Sequence, residues 1–304
     1  MKYRVFAFRI VKYRSQFVLA SVLALSFAAC SATVPRENSS ALRTVTDDLG
    51  REVKVPERIE RAISLAPSLT ETIFAAGAGD RLVGVTSYCN YPAATASIEK
   101  VGDTLTPNIE RIIALKPQLV FVSTSSQLES FTSVLKDQNI QVYVSNPSNF
   151  EDMVRGIRTL GTLFGTAAIA DAKANEIENR ARSLDESLKN TQRPKVFVQI
   201  SNDPLFTIGR DSFLTQVIYR AGGDSVTKDV ASAYPKLSKE TALAMNPDVI
   251  ILSDSDDNKE PNTVFRNSAA VKNGRVYRIN ADIISRPGPR LVDAIEQIAK
   301  DLHP

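Results

Sequence analysis

Few residues in this chain are placed to do covalent or metal chemistry. The single histidine is His303, next to last, and the two cysteines are Cys30 and Cys89. No His-Glu-x-x-His motif, phosphate-binding loop, Cys/His cluster or Gly-x-Ser-x-Gly elbow is present. An enzyme would have to run on carboxylates and tyrosines alone, and no pair of acids is spaced for that. A haem iron held by His is disfavoured for the same reason. Cys89 has no neighbouring His, second Cys or charged activator, which argues against a nucleophile or a metal ligand. What remains suits binding. Tyr88-Cys89-Asn90-Tyr91-Pro92 follows the apolar run Leu82-Val83-Gly84-Val85. In open α/β sheets ligands gather at the carboxyl ends of strands, and tyrosine offers an apolar face with a polar tip. Ordinary loop packing is the alternative reading of these five residues.

The elements that would position such a site are organised around residues 148–190. Ser148-Asn149 can cap a helix, and Glu151 and Asp152 fall in its first turn, where the helix dipole favours acids. Gly165-Thr166 interrupts. From Ala167 to about Lys189 there is no Gly or Pro, and Ala, Glu, Arg, Lys and Leu dominate. About 23 residues at 1.5 Å each make a rod of about 35 Å, longer than one small lobe needs. The expected fold class is therefore α/β, two pseudo-symmetric lobes joined by one long backbone helix. An amphipathic helix packed on a single domain is the alternative.

The N-terminus reads as an address. Lys2, Arg4, Arg9, Lys12 and Arg14 precede an apolar stretch from Phe17 to Ala29 that is short for a bilayer span and fits a secretory signal. It ends Phe27-Ala28-Ala29-Cys30, similar to a bacterial lipobox, in which the Cys is lipidated and becomes the first mature residue. Phe27 stands where Leu is usual, so a plain signal cleaved nearby stays open. The whole chain carries +3, but without residues 1–29 it holds 32 Lys+Arg against 34 Asp+Glu, near −2. No basic stripe favours nucleic acid. With Cys30 lipidated, Cys89 has no intramolecular partner. The expected divisions are 1–29 signal, 30–43 tether, 44–147 N-terminal lobe, 148–190 connecting helices and 191–304 C-terminal lobe.

Within the lobes, Thr44–Pro56 reads as a hairpin and Arg61–Leu65 as a strand. A short helix over Glu71–Ala76, capped by Ser68 or Thr70, stops at Gly77-Ala78-Gly79. Those glycines follow a helix, so they supply a left-handed stop rather than a dinucleotide fingerprint. A repeat then appears. Asn108-Ile109-Glu110 through Lys116-Pro117 to Ser123 matches Ser238-Lys239-Glu240 through Asn246-Pro247 to Ser253. Each unit is a cap, a Glu in the first turn, a short helix, a Pro stop and a buried strand. After Val276–Ile279, residues 282–290 read as a loop and Leu291–Leu302 as a closing helix.

Ile63-Ser64-Leu65-Ala66-Pro67-Ser68-Leu69-Thr70-Glu71 and Gly77-Ala78-Gly79-Asp80-Arg81-Leu82-Val83-Gly84-Val85 through Tyr91-Pro92 resemble the periplasmic-binding-protein family that feeds vitamin B12, siderophore and haem ABC importers. The hairpin, both repeat units, the long helix and Phe206-Thr207-Ile208-Gly209 fit as well, so the resemblance covers about residues 44–303. Tyr-x-x-Tyr-Pro at 88–92 looks most like the cobalamin-binding branch. The resemblance implies a class III fold, no catalysis, no resident cofactor or metal, and cobalamin or a related corrinoid as cargo. It implies an extracytoplasmic monomer, anchored to the membrane through Cys30, that delivers to the permease subunits of an importer. Tyr88, Phe206 and Tyr234 match aromatic positions of the corrinoid pocket. Asp282 and Arg286 match polar positions that could bond corrin side chains, although loop charges are often only solvated. Glu110 and Glu240 match the glutamates that dock on permease arginines, and each also complements a helix N-terminus.

There are departures. The chain has no Trp. Thr104 and Ser123 stand where such a binder can carry Trp against the ligand, and Tyr234 is a third such position. Each lost face costs about 1–3 kcal/mol of contact. An iron–siderophore binder of the same architecture is the rival reading, but anionic siderophores favour several cleft cations, and only Arg286, with Arg290 or Arg210, is placed for that. A secreted carboxylate-dependent enzyme using Asp282 is the rival from another class. A single stiff helix should also limit lobe closure compared with two-strand hinges.

Overall fold

A hairpin opens the fold. Strands β1 (Leu42–Thr46) and β2 (Glu52–Pro56) pair antiparallel around a turn in which Asp47 accepts from the Leu49 and Arg51 backbone N–H groups. The computed structural model describes residues 41–123 and 128–304. The signal, Cys30 and the tether up to residue 40 lie outside the described residues. No helix among the described residues is long and apolar enough to cross a membrane.

Two sheets follow. The first contains β3 (Ala62–Ser64), β4 (Leu82–Val85), β5 (Leu119–Ser123) and β6 (Gln141–Ser145) in the order β4-β3-β5-β6, all parallel. The second contains β7 (Lys195–Ser201), β8 (Phe206–Thr207), β9 (Asp224–Ser225), β10 (Val249–Asp254) and β11 (Val276–Asn280), ordered β11-β10-β7-β8 with β9 also on β7. Only the β7–β8 pairing is antiparallel in this sheet. Parallel strands need covering helices on both faces, which is why β5 and β10 are continuous apolar runs.

The helices are α1 (Pro67–Ala75), α2 (Ile109–Ala114), α3 (Leu128–Asp137), α4 (Phe150–Phe164), α5 (Ala167–Leu188), α6 (Phe213–Arg220), α7 (Lys239–Met245), α8 (Ala269–Lys272), α9 (Ala281–Ile284) and α10 (Leu291–Leu302). The 22 residues of α5 span about 33 Å. At its start, Thr166 Oγ1 donates to the Ala76 carbonyl after α1 at 2.6 Å. Two turns before its end, Arg180 donates to Glu296 at 2.9 and 2.6 Å and to Asp293 at 2.6 Å on α10. One helix therefore ties the first lobe to the second, as its length implied. Antiparallel α4 stiffens it. Gly161 is needed there, because a Cβ would stand 2.2 Å from Ala170 Cβ, and Arg158 bonds Glu178 at 2.7 and 2.9 Å.

The repeat is structural as well as sequential. Asn108 accepts from Arg111 N and Ser238 from Thr241 N. Lys116 (φ 47) and Asn246 (φ 34), each just before its Pro, are left-handed. Gln118 and Asp248 then each use a side-chain oxygen to accept a backbone N–H at the start of a neighbouring strand, from Arg61 just before β3 at 3.1 Å and from Lys195 of β7 at 2.9 Å. Leu119 and Phe121, like Val249 and Ile251, face one apolar core that runs through α4 and α5. Val120 and Val122, like Ile250 and Leu252, face separate outer clusters.

Two expectations need correcting. Helix α1 begins at Pro67, not Glu71, and no side chain caps it. Pro is preorganised for the first helical position, where an N–H would have no intrahelical partner anyway, while Thr70 Oγ1 donates to Ser64 Oγ at 2.9 Å. Asp282 lies not in a loop but in the first turn of α9, where Asn280 accepts from its N–H at 2.8 Å.

Candidate functional site

The predicted binding residues sit at or beyond the carboxyl ends of the parallel strands. Tyr88 follows β4, Ser123 ends β5, and Asp282 and Arg286 follow β11. The loop that carries Tyr88 is fixed from beneath. Buried Cys89 places its sulfur 3.2 Å from Thr70 Oγ1 and 3.1 Å from Thr86 Oγ1, and Lys100 Nζ donates to the Cys89 and Thr95 carbonyls at 3.0 Å. Cys89 is thus a core anchor held between two threonine hydroxyls. Tyr88 and Tyr91 are left turned outward, Tyr88 60% exposed.

At this loop the two lobes meet. Asn90 Nδ2 donates to Asp282 Oδ2 at 2.7 Å, and Arg286 Nη1 donates back to Asn90 Oδ1 at 2.9 Å. Arg286 Nη2 donates to Asp282 Oδ1 at 2.5 Å and to the Tyr88 carbonyl at 3.4 Å. Beneath them lies Glu71 of α1, with 2% of its side chain exposed. Arg290 donates to its two oxygens at 2.9 and 2.6 Å, and Arg286 approaches at 3.4 Å. The hydrogen bond to Glu71 raises the Arg290 pKa, and its guanidinium also stacks 4.2 Å over the Tyr91 ring. Tyr88, through its carbonyl, Asp282 and Arg286 are therefore brought together. Glu71, Asn90 and Arg290 complete the cluster. The sequence held only a faint signal for Glu71, an acid flanked by two threonines between Leu69 and Ile73. Nothing local could supply its partner 219 residues away.

The other predicted residues form flanking groups. Thr104 lies in a tight loop joined to the Tyr88 loop by Ser87 N donating to the Gly102 carbonyl at 2.8 Å. Gly102 (φ 98) is required there, because a Cβ would press on Asn108 N and Thr106 O at 2.8 Å. Asp103 ties the loop by accepting from Leu105 N and from Thr106, whose backbone N–H is the main cause of its lowered pKa. Leu105 is left 61% exposed, a candidate contact that sequence reading missed. Phe206 and Tyr234 are neighbours on the second lobe, through a bridge from Phe206 to Lys236 and Gly209 N donating to Ala233 O at 3.0 Å. Tyr234 is 42% exposed, yet burial pushes its phenol pKa up, with a hydrogen bond to Ser212 opposing.

Glu110 and Glu240 are exposed in the first turns of α2 and α7. Helices that connect parallel strands run antiparallel to them, so these N-termini lie toward the carboxyl edges. The Glu240 pKa is lowered by its own backbone N–H and by Ser238, so it stays charged. Two cavities, of about 700 and 460 Å3, open elsewhere, along α4 and α5 around Phe150, Glu151, Asp185 and Arg220. Arg220 is already paired there with Glu151 and Asp185 and stacked on Phe150.

The profile of the periplasmic binding protein family matches residues 63–283. The chain belongs to that family. It is 29% identical over 297 residues to the uncharacterised ABC transporter substrate-binding lipoprotein YvrC of Bacillus subtilis strain 168, covering 92% of this chain and 94% of that one. It is 30% identical to the periplasmic vitamin B12 binding protein BtuF of Vibrio cholerae, whose crystal structure matches with a TM-score of 0.72 over 80% of this chain and 96% of that one. The periplasmic haem-binding protein RhuT of Roseiflexus sp. RS-1 shares the fold, with a TM-score of 0.72 over 81% and 98% at 22% identity. This periplasmic binding protein thus has the two-lobed α/β architecture of its relatives.

Proposed function

We propose that this protein is the substrate-binding lipoprotein of an ABC importer, held outside the cytoplasm by lipid on Cys30, and that its cargo is cobalamin or a related corrinoid. The importer role is supported by family membership and by the relative that bears that name over 92% of this chain. The observation that carries the ligand class is the charge balance where the two lobes meet. Glu71 and Asp282 offset Arg286 and Arg290, and Asn90 completes the set. Such a surface suits a large uncharged ligand edged with amides, which both donate and accept. Anionic siderophores would meet two carboxylates and guanidiniums that are already engaged. Tyr88, Tyr234 and Leu105 offer exposed apolar faces to a macrocycle, in part replacing the Trp faces absent at Thr104 and Ser123. Asp282, on which a carboxylate-dependent enzyme would rest, has both oxygens hydrogen-bonded.

Function is then capture and presentation. The ligand lies between the lobes against Tyr88, Phe206, Tyr234, Asp282 and Arg286. Glu110 and Glu240, at the same offset in the two repeat units, offer one acid per lobe to a paired permease. Changing Glu110→Ala and Glu240→Ala together should leave ligand affinity within twofold and abolish uptake by cells that carry the matching permease. Weakened affinity in the purified double variant, or full uptake, would refute the docking role.

A further inference from the structure

Glu71 is a buried acid supplied by the first lobe to two cations of the second. Its side chain is 2% exposed, against 13% for Arg286 and 16% for Arg290. The backbone of the 286–290 segment closes over it, since a Cβ on Gly288 would lie 3.4 Å from Glu71 Oε2. We infer that Glu71 is the specificity-determining residue of the cleft: by neutralising Arg286 and Arg290 it makes the site accept an uncharged, amide-edged ligand and turn away anionic ones. This rests on the corrinoid reading and names the residue that selects within it.

Free donors and net charge decide which ligand the cluster accepts. Arg286 divides its Nη groups among Glu71, Asn90, the Tyr88 carbonyl and Asp282. Arg290 spends Nε and Nη2 on Glu71. With Glu71 neutral, Asp282 alone would face two guanidiniums, and the donors of Arg290 would be released. Guanidinium binds carboxylate and phosphate through paired parallel hydrogen bonds, so the released pair is an anion site. With Glu71 charged, an incoming anion meets a fixed like charge, and such juxtapositions exclude wrong partners.

The test compares cyanocobalamin with its b-, d- and e-monocarboxylic acids, in which one side-chain amide is a carboxylate and the ring is unchanged. The wild-type protein should prefer the amide to the acids. Glu71→Gln, which keeps the shape, should shift that ratio toward at least one acid by tenfold or more, an effect that shrinks in high salt. Arg290→Gln leaves the acids in excess and should shift the ratio the other way. A staple between lobes with no part in selection would weaken amide and acid alike in both variants, and unchanged ratios would overturn the inference. A second readout needs no corrinoid: pyrophosphate should raise the Tm of folded Glu71→Gln, confirmed by circular dichroism, and not that of wild type. An equal response would also overturn it. Failure of wild type to bind cyanocobalamin would remove the corrinoid reading, and the pyrophosphate comparison would still decide the role of Glu71. If Glu71→Gln does not fold, Arg290→Gln decides: a sharper rejection of the acids supports the inference, and an unchanged ratio sinks it.

Discussion

Replacing Arg290 with methionine removes both close donors to Glu71 and leaves a carboxylate that is 2% exposed with Arg286 at 3.4 Å. Breaking a buried ion pair from one side costs about 3–5 kcal/mol, because the remaining charge is unpaired. Arg286 can move closer, and Arg290 itself is 16% exposed, so the cost falls at or just below the bottom of that range, roughly 2–3 kcal/mol. Loss of the Tyr91 stack at 4.2 Å adds about 0.5–1 kcal/mol. The single variant should thus lose about 3 kcal/mol. Glu71→Leu combined with Arg290→Met removes both charges, so the double variant should be less damaged than the sum of the singles, with a coupling of roughly 2 kcal/mol. Equilibrium urea unfolding of the four proteins measures this, provided the m-value is constant. Additive losses, or an Arg290→Met loss below about 1 kcal/mol, would refute the reasoning that this pair joins the lobes.

Two glycines should respond oppositely to alanine. At Gly209 a Cβ would stand 2.2 Å from the Ser232 carbonyl and 2.7 Å from that of Val230, so Gly209→Ala should cost about 2 kcal/mol or more by thermal unfolding. Gly156, inside α4 with nothing within 4 Å, should gain about 0.5–1 kcal/mol as alanine. Acid should weaken the clamp around α5. Arg158 lowers the pKa of Glu178, and Arg180 lowers that of Glu296. Each therefore contributes stability that is complete above the unfolded carboxylate value and is lost as pH falls through the lowered folded value. Arg180→Gln should flatten that acid limb in a Tm-versus-pH series, and an unchanged limb would show that this network does not contribute.

The lobes were legible because their signals are local. A cap, a first-turn Glu, a Pro stop and an apolar run recur at equal offsets. The same offsets place Leu119 and Val249 on the shared core, and Lys116 and Asn246 in the left-handed region. The long helix was legible from the absence of Gly and Pro. The start of α1 was misread because Ser68 and Thr70 look like caps, whereas Pro67 already fixes the first turn. Asp282 was read as a loop residue because α9 has only four residues, too few for a periodic pattern, and depends on the Asn280 cap. The Glu71–Arg290 pair was beyond reach for another reason. It is set by how the two lobes pack, and no spacing rule connects residues 219 apart. Exposed Leu105, next to Thr104, became visible only once the Gly102 turn was in place.

The most direct test of the ligand assignment is calorimetric titration of the purified protein with cyanocobalamin, with ferric siderophores and haem run in parallel. Saturable 1:1 binding of cyanocobalamin is expected, with weak or no binding of the anionic chelates. Binding of a ferric siderophore or haem with no response to cyanocobalamin would contradict it.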